Sequence, residues 1–75
     1  MKTYEDRVAA IKTREDLDLQ INRARLAAQA AKRRRYLAGN TLAEKLEWIQ
    51  AEKHHRDVLH QLRRNYFDLE DKLAA

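Results

Sequence analysis

Apolar side chains recur every three or four residues along almost the whole chain, which is the spacing of amphipathic helices. Placing residues about 100° apart puts two long sets on common faces. The first set is Tyr4, Val8, Ile11, Leu19, Leu26, Ala30 and Leu37. The second set is Trp48, Ala51, His55, Val58, Leu59, Leu62, Tyr66, Leu69 and Leu73. The pattern predicts two long helices whose apolar stripes pack against each other.

Three local signals predict where these helices begin and end. Thr3 opens a T-x-x-D pattern with an acid three residues later, which favours a helix start. Gly39, the only glycine, suits the left-handed conformation that follows a helix. Thr41 and Glu44 form a T-x-x-E pattern that predicts the next helix start.

These signals predict a single all-α domain. Its parts are helix one over about 3–38, a turn at 39–41 and helix two over about 42–74, within a domain of 1–75. Because so short a turn returns the second helix along the first, we expect an antiparallel, coiled-coil-like αα-hairpin.

Each predicted helix also carries a second apolar face, which a lone two-helix hairpin would leave in water. Small alanines on helix one would let another helix approach closely, although alanine also follows from helix propensity alone. The residues predicted to form an oligomer or partner interface are Leu17, Ile21, Ala24, Ala28, Ala31, Leu46 and Ile49. Ala10, Leu42 and Phe67 lie on the same faces. We expect either a homodimer, as a four-helix bundle, or docking on another helical protein.

Positive charge is concentrated near the predicted turn. The formal net charge is +4, yet residues 19–38 contain six basic residues and no acid. Lys32–Arg35 would stabilise the dipole of a helix end, and this role alone could explain them. A line of Arg7, Arg14, Arg25, Lys32 and Tyr36 on one edge of helix one is also the kind of track that contacts phosphates.

The candidate binding residues therefore come from this basic region. They are Arg14, Arg25, Lys32, Arg33, Arg34, Arg35 and Tyr36. Their partner is either an acidic protein or a nucleic acid, RNA or DNA.

The remaining composition argues against an enzyme. The chain has no cysteine and no serine, and a single glycine excludes the glycine-rich phosphate-binding loops. Glu52 and His55 have an E-x-x-H spacing, but the facing helix offers no carboxylate, so we expect no metal. We also expect no cofactor, no small-molecule substrate and no membrane partner, because apolar runs are short. The amino terminus lacks signal-peptide features, which predicts a soluble, cytoplasmic protein.

The sequence thus predicts a small, non-enzymatic interaction or adaptor module. In this interpretation a helical hairpin self-associates or docks on a helical partner, and its basic tip contacts an acidic partner. The alternative is a nucleic-acid-binding regulatory protein that contacts phosphates through the Arg/Lys track of helix one.

Overall fold

The computed structural model describes residues 1–37 and 39–74. It contains four helices: α1 (Tyr4–Ala9), α2 (Arg14–Arg35), α3 (Leu42–Arg64) and α4 (Tyr66–Ala74). Within those ranges there is no strand, which confirms the all-α prediction. The long pair α2 and α3 makes most of the contacts between helices, and the described chain measures 50 × 16 × 15 Å.

The first predicted helix is broken, so its uninterrupted course over 3–38 is wrong. The α1 helix ends at Ala9, and a second capping box at Thr13 begins α2. Thr13 Oγ1 accepts a hydrogen bond from the Asp16 backbone N–H at 3.2 Å, and Asp16 Oδ2 accepts one from the Thr13 N–H at 3.2 Å. The same carboxylate accepts the Lys12 N–H at 3.0 Å. This cap satisfies N–H groups that a continuous helix would have bonded to carbonyls.

The break allows α1 to fold back along α2 and α3. The Nε2 atom of His54 lies 2.8 Å from the Lys2 carbonyl oxygen, and Asn65 Nδ2 donates to Tyr4 Oη at 2.9 Å. A straight continuation of α2 would have carried Lys2 far away from His54. The chain therefore consists of two long arms, α2 and α3–α4, with the short helix α1 laid against them.

The end of α2 comes at Arg35, earlier than predicted. Tyr36 is its C-cap, and the Asn40 side-chain amide donates to the Arg34 carbonyl at 2.6 Å. This bond satisfies one of the carbonyls that a helix end leaves free. Ala38, the predicted last residue of helix one, lies outside the described residues.

The turn has the backbone conformation that its glycine predicted. Gly39 has φ +89°, the one positive φ among the described residues, but it lies within the turn and not directly after α2. Thr41 is the N-cap of α3, as predicted, since its Oγ1 accepts the Glu44 backbone N–H at 3.2 Å. The Glu44 carboxylate accepts from the Thr41 hydroxyl at 3.2 Å.

The second predicted helix is interrupted at a single residue, Asn65. The Asn65 N–H still donates to the Gln61 carbonyl at 3.0 Å, and the Leu69 N–H donates to the Asn65 carbonyl at 2.9 Å. Helical hydrogen bonding therefore continues on both sides of the interruption. The Asn65 side chain is the group that bonds Tyr4.

The core lies between the two halves of the chain, and the stripe of helix two is confirmed. Its buried members are Ala51, Val58, Leu59, Leu62 and Leu69. Ile11, Leu17 and Ala24 join the core cluster from the first half. Tyr4, Val8, Ile21, Tyr66 and Leu73 are partly buried against it.

The two faces predicted for helix one are exchanged beyond residue 13. Leu17, Ala24, Ala28 and Ala31 are buried and Ile21 is half-buried, so they pack within the chain and form no free interface. Leu19, Leu26 and Leu37, which were expected inside the hairpin, are exposed. The reason is the break before Thr13: α2 has its own rotation, so the phase set by Tyr4, Val8 and Ile11 does not extend into it.

None of the helices in the described part of the chain is long and apolar enough to span a bilayer.

Candidate binding surfaces

A line of three adjoining grooves runs along one side of the α2–α3 pair toward the turn. Arg25, Lys32 and Arg56 stand around the first groove. Lys53, Arg35 and Arg56 border the second, together with the acids Glu52 and Asp57. The third groove is bordered by Arg35, Tyr36, Lys45 and Ile49. Because neighbouring grooves share lining residues, they form one surface, the basic channel: Arg25, Lys32, Arg35, Tyr36, Lys45, Lys53 and Arg56.

The floor of the channel is apolar where α2 and α3 meet. Ala28 and Leu59 line the first groove between the cations, and Ala28 is buried. Alanine has no side chain beyond Cβ, so it leaves a depression that longer residues would fill. Arg25 and Lys32 are seven residues apart and therefore share one face of α2. The result is a shallow groove with charged rims.

A buried carboxylate holds two of the channel arginines in place. The Glu52 side chain is only 5% exposed, with Oε1 2.8 Å from Arg35 Nη1 and Oε2 2.5 Å from Arg56 Nη2. A carboxylate removed from water needs such partners, because an unpaired buried charge is costly. One negative charge thus positions two positive ones. The i,i+4 pair of Glu52 and Arg56 is also readable from the sequence.

An exposed aromatic ring closes the turn end of the channel. Arg35 Nη2 donates to Tyr36 Oη at 2.8 Å, and the Arg35 guanidinium carbon lies 4.8 Å from the Tyr36 ring centroid. The hydrogen bond that Arg35 donates to Tyr36 is the main cause that raises the pKa of Arg35 above its ordinary value. Tyr36 nevertheless remains 69% exposed, so its ring is available to a ligand.

The structure brings together only part of the predicted basic set. Arg25, Lys32, Arg35 and Tyr36 meet in the channel. Arg14 lies elsewhere, with its Nε 3.5 Å from Glu70 Oε2.

Three further members of the basic region lie outside the channel. The guanidinium of Arg34 lies 4.8 Å from the Trp48 ring centroid. Arg33 is exposed but does not line the grooves. Arg7, the first member of the predicted track, is buried at 4% exposure.

The other half of the channel comes from α3 and was missed by the sequence analysis. Lys45, Ile49, Glu52 and Arg56 follow one another at spacings of four, three and four residues, so they share one face of α3. That spacing was a usable signal. It could not show that this face lies beside Arg25 and Lys32.

A second surface at the turn end is apolar. Five of the exposed large apolar side chains belong to it, and we call them the turn-end apolar patch: Tyr36 (69% exposed), Leu37 (58%), Leu42 (74%), Leu46 (51%) and Ile49 (43%). Leu42, Leu46 and Ile49 form one row on α3. Leu46 and Ile49 are therefore exposed as expected, and their role as an interface stays a prediction.

A second cluster of polar side chains, Arg7, Gln20 and His55, lies where α1 packs against the rest of the chain. Arg7 Nη1 donates to Gln20 Oε1 at 3.1 Å, whereas Arg7 Nε and His55 Nδ1 have no hydrogen-bond partner. Over residues 1–37 and 39–74, no carboxylate lies within 4 Å of the Arg7 guanidinium. Burial lowers the pKa of His55, and the nearby charges of His54 and Arg7 lower it further.

In the portion of the chain covered by the structure, no group of three or more His, Cys, Asp or Glu side chains could hold a metal ion. No protein-family model, curated protein or solved structure matches this chain.

Proposed function

We propose that the protein is a non-enzymatic interaction module that docks on an acidic amphipathic helix of another protein through its turn-end apolar patch. The observation that carries this proposal is the row of Leu42, Leu46 and Ile49, exposed at 74%, 51% and 43% on one face of α3. Single exposed apolar residues need no explanation, but a contiguous group of them is typical of a binding surface.

Burial of this row supplies the binding free energy. Covering a leucine or isoleucine completely stabilises a complex by about 1.5–3 kcal/mol, and these residues are already partly covered. Each would thus contribute about 1 kcal/mol or more, and further contacts must add to this because association costs about 4–15 kcal/mol of rigid-body freedom. An interface centred on Leu46 and bordered by Tyr36 has the apolar, aromatic centre that such contacts favour.

The charges around the patch favour an acidic partner over a second copy. Lys45 and Lys53 lie beside the row, and both are exposed. The nearest buried acid, Glu52, is already paired with two arginines. A two-fold partner would bring the same lysines close together, and like charges across an interface are unfavourable. A helix with glutamates beside its apolar stripe would complement them.

The proposal is tested with two designed amphipathic peptides that differ only in charge. One carries leucines at helical spacing with glutamates elsewhere, and the other has lysines in place of the glutamates. We expect the Leu/Glu peptide to bind and the Leu/Lys peptide to bind weakly or not at all, measured by calorimetry. Leu46→Ser should weaken Leu/Glu binding by about tenfold, equivalent to about 1.4 kcal/mol. The matched control is Leu19→Ser, an exposed leucine on α2, which should leave binding unchanged.

Equal binding of both peptides, or equal effects of the two leucine variants, would contradict the proposal. Sedimentation equilibrium addresses the remaining alternative, the homodimer predicted from the sequence. Since Leu17, Ala24 and Ala28 lie in the core, a dimer could not use them, and the turn-end apolar patch is the surface that this experiment tests. A dimer that Leu46→Ser dissociates would replace the acidic partner with a second copy.

A further inference from the structure

The basic channel extends beyond the surface proposed for the docking of a protein helix, because Arg25, Lys32 and Arg56 lie outside that surface. Four of its cations have no ion-pair partner in the parts of the chain that the structure covers: Arg25, Lys32, Lys45 and Lys53. Arg25 donates to the neutral Asn22 Oδ1 at 2.7 Å. Glu52 and the exposed Asp57 also line the channel, so its six cations and two acids leave a net positive charge.

We propose that the basic channel binds a single-stranded nucleic acid through its phosphates and stacks one base on Tyr36. The part of α2 from Arg25 to Tyr36 rises about 16 Å at ~1.5 Å per residue. That length is enough for a short run of nucleotides along one strand. The channel shares Tyr36, Lys45 and Lys53 with the proposed docking surface, whereas Arg25, Lys32 and Arg56 belong to the channel alone.

The arrangement of the cations suits a backbone of repeated phosphates. Cations on α2 and α3 stand on opposite rims, with Ala28 and Leu59 between them. A strand lying in the groove would place phosphates against both rims and its less polar sugars against the floor. Because Glu52 is buried and shared by Arg35 and Arg56, it fixes those two side chains and offsets only one of their two positive charges.

Tyr36 favours a single strand over a duplex. Its ring is 69% exposed at one end of the channel, and an aromatic ring offers a stacking platform to any unpaired base. Bases in a duplex already stack on one another and are not free to reach it. The two parts of the site, a cationic groove and an aromatic platform, are the combination used in sequence-tolerant single-strand binding.

The test measures fluorescence anisotropy with a labelled oligothymidylate of about twelve nucleotides. A duplex of equal length and polyglutamate serve as comparison ligands. With about four phosphates contacted, the logarithm of the association constant should fall against the logarithm of salt with a slope near −2.8, about −0.7 for each phosphate. The single strand should bind more tightly than the duplex and than polyglutamate.

Two matched double variants distinguish the effect of the channel cations from the effect of the net charge of the protein. Arg25→Gln with Lys32→Gln should reduce the magnitude of the slope by about 1.4, since two phosphate contacts are lost. Arg63→Gln with Arg64→Gln removes the same charge from exposed positions outside the channel and should leave the slope near its original value. Tyr36→Ala should weaken single-strand binding by about fivefold or more. Circular dichroism verifies that each variant is helical.

Several results would overturn the proposal. These are no binding of the oligonucleotide at about 50 mM salt, equal slopes for the two double variants, or tighter binding of polyglutamate, which would assign the channel to an acidic protein. Equal binding of the duplex would remove the single strand from the proposal. Leu46→Ser distinguishes this site from the docking patch, because it should leave oligonucleotide binding unchanged.

Discussion

Buried charged side chains have different partners on the two sides of the α2–α3 pair. On the channel side, Arg35 and Arg56 share the buried carboxylate of Glu52. Beneath α1, Arg7 is buried with a neutral amide as its partner and an unbonded Nε. The first arrangement compensates the charge that it buries, and the second does not. A buried charge is therefore compensated on one side of this fold, at Glu52, and costs free energy on the other, at Arg7.

The electrostatic surroundings reinforce the contrast. Burial lowers the pKa of Arg7, and the charge of Arg23 lowers it further. Around Glu52, by contrast, opposite charges are in contact, because the buried carboxylate has two arginine partners. Because the charge of Arg7 is not compensated, α1 is held mainly by its apolar residues, Tyr4 and Val8, which pack on the core.

The largest expected effect comes from removing the shared carboxylate. Glu52→Gln leaves Arg35 and Arg56 facing each other without a counter-ion, and hydrogen bonds to charged groups stabilise by about 1.5–3 kcal/mol. We expect a loss of about 2 kcal/mol in the free energy of unfolding, measured by urea denaturation. Glu47→Gln, at an exposed position, is the control and should change stability by less than about 0.5 kcal/mol. Equal effects of the two variants would remove the basis of the contrast.

A smaller effect of opposite sign is expected beneath α1. Arg7→Met retains most of the packing but removes the incompletely compensated charge, and such replacements are often neutral or stabilising. We expect a gain of about 1 kcal/mol in the free energy of unfolding. Lys12→Met, at an exposed position, should change stability little. A loss of more than about 1 kcal/mol for Arg7→Met would show that the bond to Gln20 outweighs the cost of burial.

The smallest effect concerns pH. The pKa of His55 is lowered in the folded protein by burial, with His54, Arg7 and the amino terminus adding to the effect. The unfolded chain therefore binds more protons at and below an ordinary histidine pKa of about 6.5, so stability rises with pH there. We expect stability to decrease as pH falls through about 6.5 and to level off, for this group, below the lowered folded pKa.

Urea denaturation at several pH values gives the measurement. His55→Gln should remove this dependence, whereas His60→Gln, at an exposed position, should retain it. Asp6 acts at lower pH, because hydrogen bonds from Thr3 lower the pKa of its carboxyl below 3.8. A pH dependence that survives His55→Gln would assign the effect to another group.

The sequence predicted the helices and the turn well where the pattern was uninterrupted. The stripe of α3 and α4 was correct because helical hydrogen bonding passes Asn65 on both sides. The first half misled the prediction because residues 10–13 contain neither glycine nor proline. The only local signal was the T-x-x-D pattern at Thr13. Missing it changed the rotation assigned to α2 and exchanged its two faces.

For the basic channel, the sequence predicted which residues share a face of one helix but not how the two helices face each other. Arg25 and Lys32 share a face by spacing alone, and so do Lys45 and Arg56. Which face of α3 lies beside which face of α2 depends on how Leu17 and Leu62, both fully buried, fit together. That fit is a property of tertiary packing, and spacing within one helix does not encode it.

The fold-back of α1 also has an optical consequence. Met1 and Trp48 line the same surface groove, and Trp48 is the only tryptophan. In one continuous helix the amino terminus would lie at the opposite end of the molecule from this indole. A dye on the terminal amine would therefore accept energy from Trp48 only while α1 is laid against α3. The fluorescence of a single residue thus reports whether the short helix is in place.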